Sequence, residues 1–317
     1  MYMGKKVGVV VPAYNEERLI FRVLSTMPSF VDRIIVVDDA SVDLTSQVVM
    51  NFKEKNSDGR IILIRHEKNR GVGGAIVSGY KRALEEDMDV VAVMAGDGQM
   101  DPEDLPRIIE PVAKGEVDYT KGNRLFRGES WRMIPHVRYL GNAVLSLFTK
   151  IASGYWHVAD SQSGYTAISR VALKRLDLDS LYTKYGFPND MLIKLNIHNF
   201  KVRDVSVRPV YNIGEDSGIR LYKVIPKISW LLVKGFFRRL FEKYVIRDFH
   251  PLVFFYIMGL ILFPAGFLFG LYLLYLRIFS GPVSATSALF SAFLIITGLQ
   301  SLFFAMWFDM DYNKHLR

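Results

Sequence analysis

Two adjacent carboxylates, Asp38 and Asp39, follow the apolar run Ile34–Val37, and their side chains suit binding chemistry. A carboxylate accepts hydrogen bonds from the N–H groups of a base or from ribose hydroxyls, so the pair predicts a contact with a nucleotide. One of the two could instead cap the helix that begins near Ser41 or Asp43. For this pair taken alone, both interpretations stay open.

Asp97 follows a second apolar run, Val90–Met94, and stands two residues before Gln99. Carboxylate and amide oxygens are the ligands that hard divalent cations such as Mg²⁺ and Mn²⁺ prefer. A cation at Asp97 would bridge the two phosphates of a nucleotide-sugar and neutralise the charge that grows on the leaving diphosphate. This segment therefore predicts a metal site for group transfer.

Two further segments place the end of a strand directly before a helix: Pro12–Glu17 and the glycine-rich Asn69–Ala75. The first turn of a helix offers free N–H groups and the positive end of a dipole, so Tyr14, Asn15 and Glu16 could hold a base and a ribose. Glycines let the backbone approach a ligand closely. Close packing of a helix on a strand explains the glycines equally well.

An α/β sheet would bring these residues together. Short β-branched runs predict strands that are buried on both faces, and helical patterns lie between them. This alternation predicts a mainly parallel sheet with helices on both faces, whose ligands bind beyond the carboxyl ends of the strands. One crevice should therefore collect Asp38, Asp39 and Asp97. The predicted strands are Val7–Val11, Ile34–Val37, Ile61–Ile64 and Val90–Met94, and the predicted helices cover about residues 16–27, from 41 or 43 onwards, and 71–84.

The chain is strongly basic, with a formal net charge of +8, and it contains no cysteine, which excludes disulfides and thiolate metal sites. A positive balance suits nucleic acid, an anionic membrane surface or phosphate-bearing substrates. Placement favours the membrane over nucleic acid, because basic residues cluster just before the first long apolar segment. The cluster comprises Lys223, Lys227, Lys234, Arg238, Arg239, Lys243 and Arg247.

The C-terminal part of the sequence predicts a membrane anchor. Residues 251–276 and 278–308 carry no charge, and each segment is longer than the roughly 20 residues that cross a bilayer. They predict a transmembrane hairpin with spans of about 251–276 and 283–308. Before them, residues 222–244 are amphipathic, which predicts a helix in the membrane interface or, alternatively, a helix packed on the catalytic domain. Basic flanks and the lack of a signal peptide predict an integral membrane protein with its catalytic domain and tail in the cytoplasm.

Six motifs occur in a fixed order: PAYNEE, VVDDAS, NRGVGGA, GDGQMDPEDL, Gly122–Arg124 and Asp160–Tyr165. In these motifs the chain resembles glycosyltransferase family 2, and within it the dolichyl-phosphate mannose and dolichyl-phosphate glucose synthase-like group. The resemblance covers about residues 5–215. It implies an inverting, metal-dependent enzyme with the α/β fold of nucleotide-diphospho-sugar transferases, the GT-A type.

Asn15 and Asp38 are expected to contact the nucleotide, as argued above from their positions. The resemblance implies roles for further residues at the matching positions. At the nucleotide-sugar it implies Pro12, Tyr14, Glu16, Asp39, Gly71, Asp97 and Arg124. At the metal it implies Asp97 and Gln99. At the acceptor we expect Arg138, Asp160, Ser163 and Arg220. Arginine suits bidentate contact with a phosphate, although a solvated surface side chain is the alternative for Arg138.

One departure from the family pattern concerns the metal. The family usually has Asp-x-Asp-x-Gln, whereas this sequence has Ala95 in the first position of the motif that contains Asp97 and Gln99. One carboxylate ligand is therefore absent. Because magnesium-type ions keep several waters, the diphosphate and waters could complete the coordination shell. We expect weak binding of free metal, with the cation entering together with the nucleotide-sugar.

Asp190 lies in the run Phe187–Met191, which resembles the carboxylate motif that supplies a base in other members of the wider family. A phosphate monoester is largely ionised at neutral pH and is already a nucleophile, whereas a sugar hydroxyl needs a general base. Asp190 is therefore a candidate catalytic residue, beside Asp97 and Arg138, or an orienting residue, or a helix cap.

The sequence as a whole predicts transfer of a hexose from a UDP- or GDP-linked donor to dolichyl or polyprenyl phosphate, for the assembly of glycans or N-glycans. Residues 1–218 would form the catalytic domain, 219–248 the interface helices, and 249–317 the hairpin and its tail. Two alternatives stay open. The first is transfer to a sugar hydroxyl of a lipid-linked glycan or polysaccharide, and the second is a non-catalytic membrane scaffold that binds sugar nucleotides.

Overall fold

A computed structural model describes residues 1–56, 59–125, 136–208, 210 and 221–317, with the backbone alone at 136–140, 142 and 221–223. The strands in the described residues are β1 Val7–Ala13, β2 Arg33–Asp38, β3 Ile61–Arg65, β4 Val90–Val93, β5 Tyr119–Asn123, β6 Thr166–Ser169 and β7 Val202–Ser206. The α-helices are α1 Ile20–Ser25, α2 Thr45–Asn56, α3 Val72–Glu85, α4 Leu105–Ala113, α5 His136–Ser153, α6 Arg170–Arg175, α7 Phe187–Ile197, α8 Leu221–Phe241, α9 Leu252–Phe279 and α10 Ala285–Tyr312.

The strands form one sheet in the order β3-β2-β1-β4-β6-β5-β7. The first four are parallel to one another, as the alternation of strand and helix predicts. Strand β6 runs antiparallel to both of its neighbours, and β5 pairs in parallel with β7. The prediction of a mainly parallel α/β sheet is therefore confirmed.

Both faces of the sheet are buried, because alternate residues of a strand point to opposite sides. Val9 and Val11 of β1 pack in a core cluster with helices α1 and α4, whereas Val10 packs on the other side with α3. Gly79 of α3 makes this contact possible, because a Cβ atom at that position would lie 2.2 Å from Cγ1 of Val10. The glycine thus brings the helix close to the strand.

Helix α1 begins later than the sequence predicts, at Ile20 instead of near residue 16. Helix α2 begins at Thr45, whose N–H donates to the carboxylate of Asp43, one of the two predicted caps, at 3.0 Å. Asn15 has a positive φ of 58°, and the backbone N–H of Glu16 donates to the hydroxyl of Thr45 at 2.8 Å. This bond ties the segment before α1 to the start of α2.

Contacts divide the chain into two compact units: residues 1–236 with Leu316 and Arg317, and residues 237–315. Within the first unit, Ile228 and Leu232 of α8 are buried against Ile193 and Ile197 of α7. The apolar stripe of α8 that the sequence predicts therefore packs on protein. A different face of α8 is open, where Trp230 is 69% exposed.

In the second unit, α9 and α10 pack together through small residues. A Cβ atom at Gly298 would lie 2.3 Å from the backbone nitrogen of Phe263, so this close approach requires glycine. The helices have windows of mean hydropathy 2.4 and 1.9 and are long enough to cross a bilayer. Two long apolar helices of this kind suggest membrane anchoring.

Two residues of the basic cluster do not face lipid headgroups, contrary to our prediction. Arg239 has no exposed surface and makes a bidentate ion pair with Asp309, at 2.7 and 3.0 Å. Lys243 is 1% exposed and donates to Oδ1 of Asn313 at 2.7 Å. Because a buried charge requires a partner, each of them is held by a polar group of the same unit. Lys227, Lys234, Arg238 and Arg247 of the predicted cluster are exposed.

Candidate functional site

The carboxyl ends of three neighbouring strands meet at one edge of the sheet. In the register of β1 and β2, Ala13 lies opposite Asp38. The N–H of Asp39 donates to the carbonyl of Ala13 at 2.9 Å, and the N–H of Gly96 donates to the carbonyl of Pro12 at 3.0 Å. The loops that follow β1, β2 and β4 therefore begin side by side, as the predicted topology requires.

The loop after β1 is attached to the loop after β2. The N–H of Asn15 donates to the hydroxyl of Ser41 at 2.9 Å, next to the bond between Glu16 and Thr45. The ring of Tyr14 is left 47% exposed at this rim. An exposed aromatic ring on a fixed loop can stack on a planar base, which agrees with the predicted role of this segment.

Asp38 is completely buried and acts inside the loop that follows it. Its carboxylate accepts a hydrogen bond from the N–H of Ser41 at 2.8 Å and another from the hydroxyl of Ser46. Both contacts hold the loop that precedes α2, and neither is to a backbone N–H of the first turn of that helix. The contact between Asp38 and a nucleotide stays a prediction.

Asp39 holds the start of the glycine-rich segment. Its two oxygens accept from the N–H of Arg70 at 2.8 Å and of Gly71 at 2.7 Å. The same carboxylate lies 2.7 Å from Nδ1 of His66, whose Nε2 lies 2.8 Å from the hydroxyl of Ser78. Because a carboxylate only accepts, the imidazole donates to Asp39 from Nδ1. His66 therefore fixes the predicted nucleotide carboxylate, a role that no sequence motif indicated.

The glycines of this segment serve close packing. Gly71 has a φ of +85°, which favours glycine, and a Cβ atom there would lie 2.6 Å from the carbonyl oxygen of Thr183. A Cβ atom at Gly73 would lie 2.4 Å from the carbonyl oxygen of Tyr182. The packing interpretation of the glycine-rich motif thus accounts for both positions. The contact of Gly71 with a nucleotide stays a prediction.

Asp97 lies in a tight turn after β4. Its Oδ1 accepts from the N–H of Gln99 at 3.0 Å, and Gly98 has a φ of 68°. Within the described residues, no group of three or more His, Cys, Asp or Glu side chains could hold a metal ion. The oxygens of Asp97 and Gln99 fit a hard cation in type, and a substrate and water would have to supply the other ligands.

A cleft opens beside this turn. Gln99 lines it together with Arg124, which follows β5, and with Ser163, which precedes β6. The hydroxyl of Tyr165 donates to the carbonyl of Asp101 at 2.9 Å and so ties the floor of the cleft to the turn. The residues that line the cleft are Gln99, Met100, Arg124, Ser163, Gly164, Tyr165, Val207, Arg208 and Val210.

Arg124 and Asp160, which the sequence assigns to different substrates, form one ion pair. The guanidinium donates from Nε at 2.8 Å and from Nη2 at 3.2 Å, and the carboxylate is completely buried. Burial alone would raise the pKa of Asp160, but the charges of Arg124 and Lys121 outweigh it and the pKa is lowered. Asp160 therefore orients Arg124, whose side chain is 24% exposed.

Two buried charges lie behind this pair, and the sequence analysis missed both. Lys121 donates from Nζ to the carbonyl of Ser163, and burial lowers its pKa to about 8 against the opposing charges of Asp160 and Asp204. Asp204 is its direct neighbour in the pairing of β5 and β7. Burial raises the pKa of Asp204, which accepts from Asn123 at 2.7 Å. A single lysine within a strand gives no sequence signal that would reveal this network.

The remaining predicted residues are distributed differently. Asp190 is 8% exposed; its Oδ2 accepts from Nζ of Lys194 at 2.6 Å and from the N–H of Tyr182 at 2.9 Å. Arg138 lies in the backbone of α5, and its side chain is outside the described residues. Arg220 lies outside the described residues altogether. The roles of all three stay predictions.

Comparisons with known proteins agree with this arrangement. The family model for glycosyl transferase family 2 matches residues 8–177. A UDP-N-acetylglucosamine–dolichyl-phosphate N-acetylglucosaminyltransferase of Methanococcus voltae is 32% identical over 218 residues, which are 65% of this chain and 86% of the relative. An undecaprenyl-phosphate mannosyltransferase of Micrococcus luteus is 31% identical over 192 residues, 60% of this chain and 77% of the relative.

A solved structure supports the fold. Glucosyl-3-phosphoglycerate synthase from Mycobacterium tuberculosis, in complex with Mn²⁺, UDP and glucosyl-3-phosphoglycerate, has a TM-score of 0.52 at 20% identity. The match covers 74% of this chain and 80% of that chain. The same synthase was also solved with Mg²⁺ and UDP. At this identity the likeness shows the GT-A type fold alone.

Proposed function

The chain belongs to glycosyltransferase family 2, and we propose that this hexosyltransferase moves its sugar from a nucleotide-diphospho-sugar to the phosphate of dolichol or a similar polyprenol. The observation that carries the proposal is the cleft that joins Gln99 of the predicted metal turn to the oriented guanidinium of Arg124. Relatives at about 30% identity from an archaeon and a bacterium are named for polyprenyl-phosphate acceptors. A phosphate acceptor matches a cleft that presents a guanidinium.

The proposed reaction is a direct displacement with inversion. An oxygen of the acceptor phosphate forms a bond to the anomeric carbon, while the bond from that carbon to the oxygen of the β-phosphate breaks. The bonding electrons leave with the nucleoside diphosphate, and the product is a sugar–phosphate–lipid diester. No proton has to move at the nucleophile, because the phosphate is largely ionised near neutral pH.

The donor half of the site combines the loop around Tyr14 with the turn at Asp97. Asp97 and Gln99 would hold a divalent cation, which when bound neutralises charge on the diphosphate. The exposed ring of Tyr14 offers the stacking surface for the base. Asp39 fixes the loop at Gly71 through its backbone bonds. We place uridine donors first, since the relative from Methanococcus voltae is named for a UDP-linked sugar.

The contacts of Asp190 favour a phosphate acceptor over a sugar hydroxyl. A hydroxyl acceptor needs a general base, and Asp190 is the carboxylate that the family resemblance offers for that role. Here it is largely buried and paired with Lys194 at 2.6 Å, so it holds the segment at Tyr182 through a backbone bond. We propose that Asp190 is a positioning residue and that the reaction uses no protein base.

We further propose that the catalytic unit works on the cytoplasmic face of a membrane. The open face of α8 carries Trp230, and Lys227 and Lys234 are also exposed on this helix. Val144, Leu147 and Phe148 of α5 are exposed as well, between 48% and 55%. Aromatic and aliphatic side chains beside lysines suit the boundary between anionic headgroups and acyl chains.

A donor screen with the full chain in lipid nanodiscs tests the proposal. UDP- and GDP-linked hexoses and N-acetylhexosamines are each offered with polyprenyl phosphate, and the lipid product is scored by mass spectrometry. We expect one donor class to give a polyprenyl-phosphate-linked sugar. Release of nucleoside diphosphate with a lipid-linked glycan, and none with polyprenyl phosphate, would contradict the acceptor, and no release with any acceptor would indicate a scaffold.

The variant Asp97→Asn, run in the same screen, tests the predicted metal site. Because it replaces the predicted carboxylate ligand, we expect turnover to fall by about 100-fold or more. Asp177→Asn, at an exposed position, is the matched control and should leave turnover unchanged. Full activity of Asp97→Asn, or full activity of the wild type in excess chelator, would contradict the assignment of the metal to this turn.

A further inference from the structure

We propose that Arg208 binds a phosphate group of the substrate in the cleft. It supplies the net positive charge that the neutral cluster of Arg124, Lys121, Asp160 and Asp204 cannot supply. The inference rests on the proposed function and extends it, because no sequence motif and no family resemblance assigned a role to this residue. Arg208 follows β7 and lines the cleft together with Gln99 and Arg124.

The backbone of Arg208 is fixed to the segment that carries the predicted metal turn. Its N–H donates to Oδ2 of Asp104 at 2.7 Å, and Asp104 is only 4% exposed. Asp104 follows the turn of Asp97 and Gln99 by a few residues, just before α4. The guanidinium is therefore anchored at its base while its side chain remains 61% exposed toward the solvent.

Charge balance distinguishes Arg208 from the other cation of the cleft. The cations Arg124 and Lys121 share their buried surroundings with the carboxylates Asp160 and Asp204, so these two positive and two negative charges cancel. Arg124 is thus a well-oriented donor in a neutral cluster. A phosphate that carries up to two negative charges needs additional positive charge nearby.

The guanidinium of Arg208 can provide that charge because its present ion pair is weak. Among the described residues, its ion-pair partner is Glu103, at 3.9 Å between Nη1 and Oε2, and the side chain of Glu103 is 81% exposed. Exposed pairs of this kind contribute little to stability, so a phosphate can replace the carboxylate. A guanidinium matches phosphate oxygens in a bidentate fork, which fixes the orientation of the phosphate as well as its charge.

The phosphate could belong to the polyprenyl acceptor or to the diphosphate of the donor, and kinetics separate the two. Arg208→Gln is titrated with polyprenyl phosphate at saturating donor, and then with the nucleotide-sugar at saturating acceptor. Since a charge-assisted hydrogen bond contributes about 1.5–3 kcal/mol, we expect KM for one of the two substrates to rise about 10- to 100-fold. Arg208→Lys keeps the charge without the fork and should recover part of the loss.

Arg203→Gln is the matched control. Arg203 lies on β7, its side chain is 43% exposed, and it pairs with an exposed glutamate, Glu116, at 2.5 Å, but it does not line the cleft. We expect both of its KM values to stay within about twofold of the wild type, since exposed ion pairs contribute little. An equal effect of Arg203→Gln and Arg208→Gln would overturn the inference, because general surface charge would then explain both.

Binding measurements keep this inference separate from the proposed function. Calorimetry with UDP, and in a second arm with polyprenyl phosphate in nanodiscs, reports phosphate binding without turnover. Weaker binding of either ligand to Arg208→Gln, at an unchanged unfolding temperature, supports the inference even if the wild type transfers no sugar to polyprenyl phosphate. Wild-type KM and binding values in both arms, or a fall in kcat alone, would contradict it.

Discussion

Two arginine–aspartate pairs occupy the two units of the molecule, and their chemistry is nearly the same while their surroundings differ. Arg124 pairs with Asp160 in the catalytic unit, and Arg239 pairs with Asp309 in the unit that contains the long apolar helices. Both pairs are bidentate and both carboxylates are completely buried. Arg124, however, is 24% exposed to a cleft, whereas Arg239 is not exposed at all.

Each pair also has a buried lysine. Burial lowers the pKa of Lys121 to about 8 in the first cluster and that of Lys243 to about 7 in the second, where the neighbouring charge of Arg239 adds to the effect. Tyr244 donates to Asp309 in the second cluster at 2.5 Å and completes a closed network. The two clusters therefore differ in access more than in composition, and we expect only the accessible one to bind a substrate.

The largest effect on stability should come from Arg239→Met. Removing one partner leaves the carboxylate of Asp309 buried without its ion pair, which typically costs about 3–5 kcal/mol. We expect a clearly lower unfolding temperature in nanodiscs, with turnover per folded molecule close to that of the wild type. The double variant Arg239→Met with Asp309→Leu should recover most of the loss, because both charges are then gone. A single variant as stable as the wild type would contradict a structural role for this pair.

Arg124→Met should show the opposite balance. Loss of one preorganised hydrogen-bond donor at the reacting groups typically lowers turnover by about 10²- to 10³-fold. The fall in stability should be smaller than for Arg239→Met, because Lys121 remains beside Asp160 and Arg124 is partly exposed. Steady-state kinetics and thermal unfolding of the same preparation check both expectations. Wild-type turnover in this variant would remove Arg124 from the proposed site.

The lowered pKa of Lys121 predicts that the free energy of unfolding depends on pH. The pKa of Lys121 is about 8 in the folded protein and about 10.4 when unfolded, so the unfolded chain binds more protons between these values. The free energy of unfolding should therefore rise with pH across that window, by on the order of 3 kcal/mol from this residue. We expect this rise in the wild type and its loss in Lys121→Met, measured as the difference between their denaturation curves at pH 7.5 and about pH 10. If the free energy of unfolding changed equally with pH in the wild type and in Lys121→Met, the lowered pKa of Lys121 would be contradicted.

The smallest effect should come from Arg238→Gln, next to Arg239 in the sequence. Arg238 pairs with Glu242 at 2.6 Å, and its side chain is 46% exposed. Exposed pairs four residues apart on a helix contribute about 0.3–0.5 kcal/mol, so we expect almost no change in the unfolding temperature. Measured beside Arg239→Met, this variant separates the effect of burial from the effect of charge. A loss as large as that of Arg239→Met would remove the distinction.

The parallel half of the fold could be predicted because its information is local. Val7–Val11 is β-branched except at Gly8, and Ile34–Val37 is β-branched throughout; such runs specify strands that are buried on both faces. The antiparallel placement of Thr166–Ser169 between two other strands was not predicted, since short strands in a mixed sheet carry no comparable pattern. The segment before α1 is held by Thr45, which lies 29 residues from its partner Glu16, and such a contact has no local sequence signal.

The site was predictable to the extent that its residues follow strand ends. Asp39 stands directly after β2 and Asp97 lies in the turn that follows β4, and the motifs identified both. Lys121 and Asp204 belong to the same site through the register of β5 and β7, which is decided by pairing across 83 residues of sequence. Arg208 is assigned by the cleft that it lines. Such residues become visible only when the fold brings distant strands together.

The most direct test of the proposed function is the structure of the lipid product. Polyprenyl phosphate and the preferred nucleotide-sugar are incubated with the full chain in nanodiscs, and the product is analysed by NMR of its anomeric proton and phosphorus. We predict a phosphodiester between the sugar and the lipid phosphate, with the anomeric configuration opposite to that of the donor. A sugar attached through a hydroxyl, or an anomeric carbon with retained configuration, would contradict the direct displacement by phosphate.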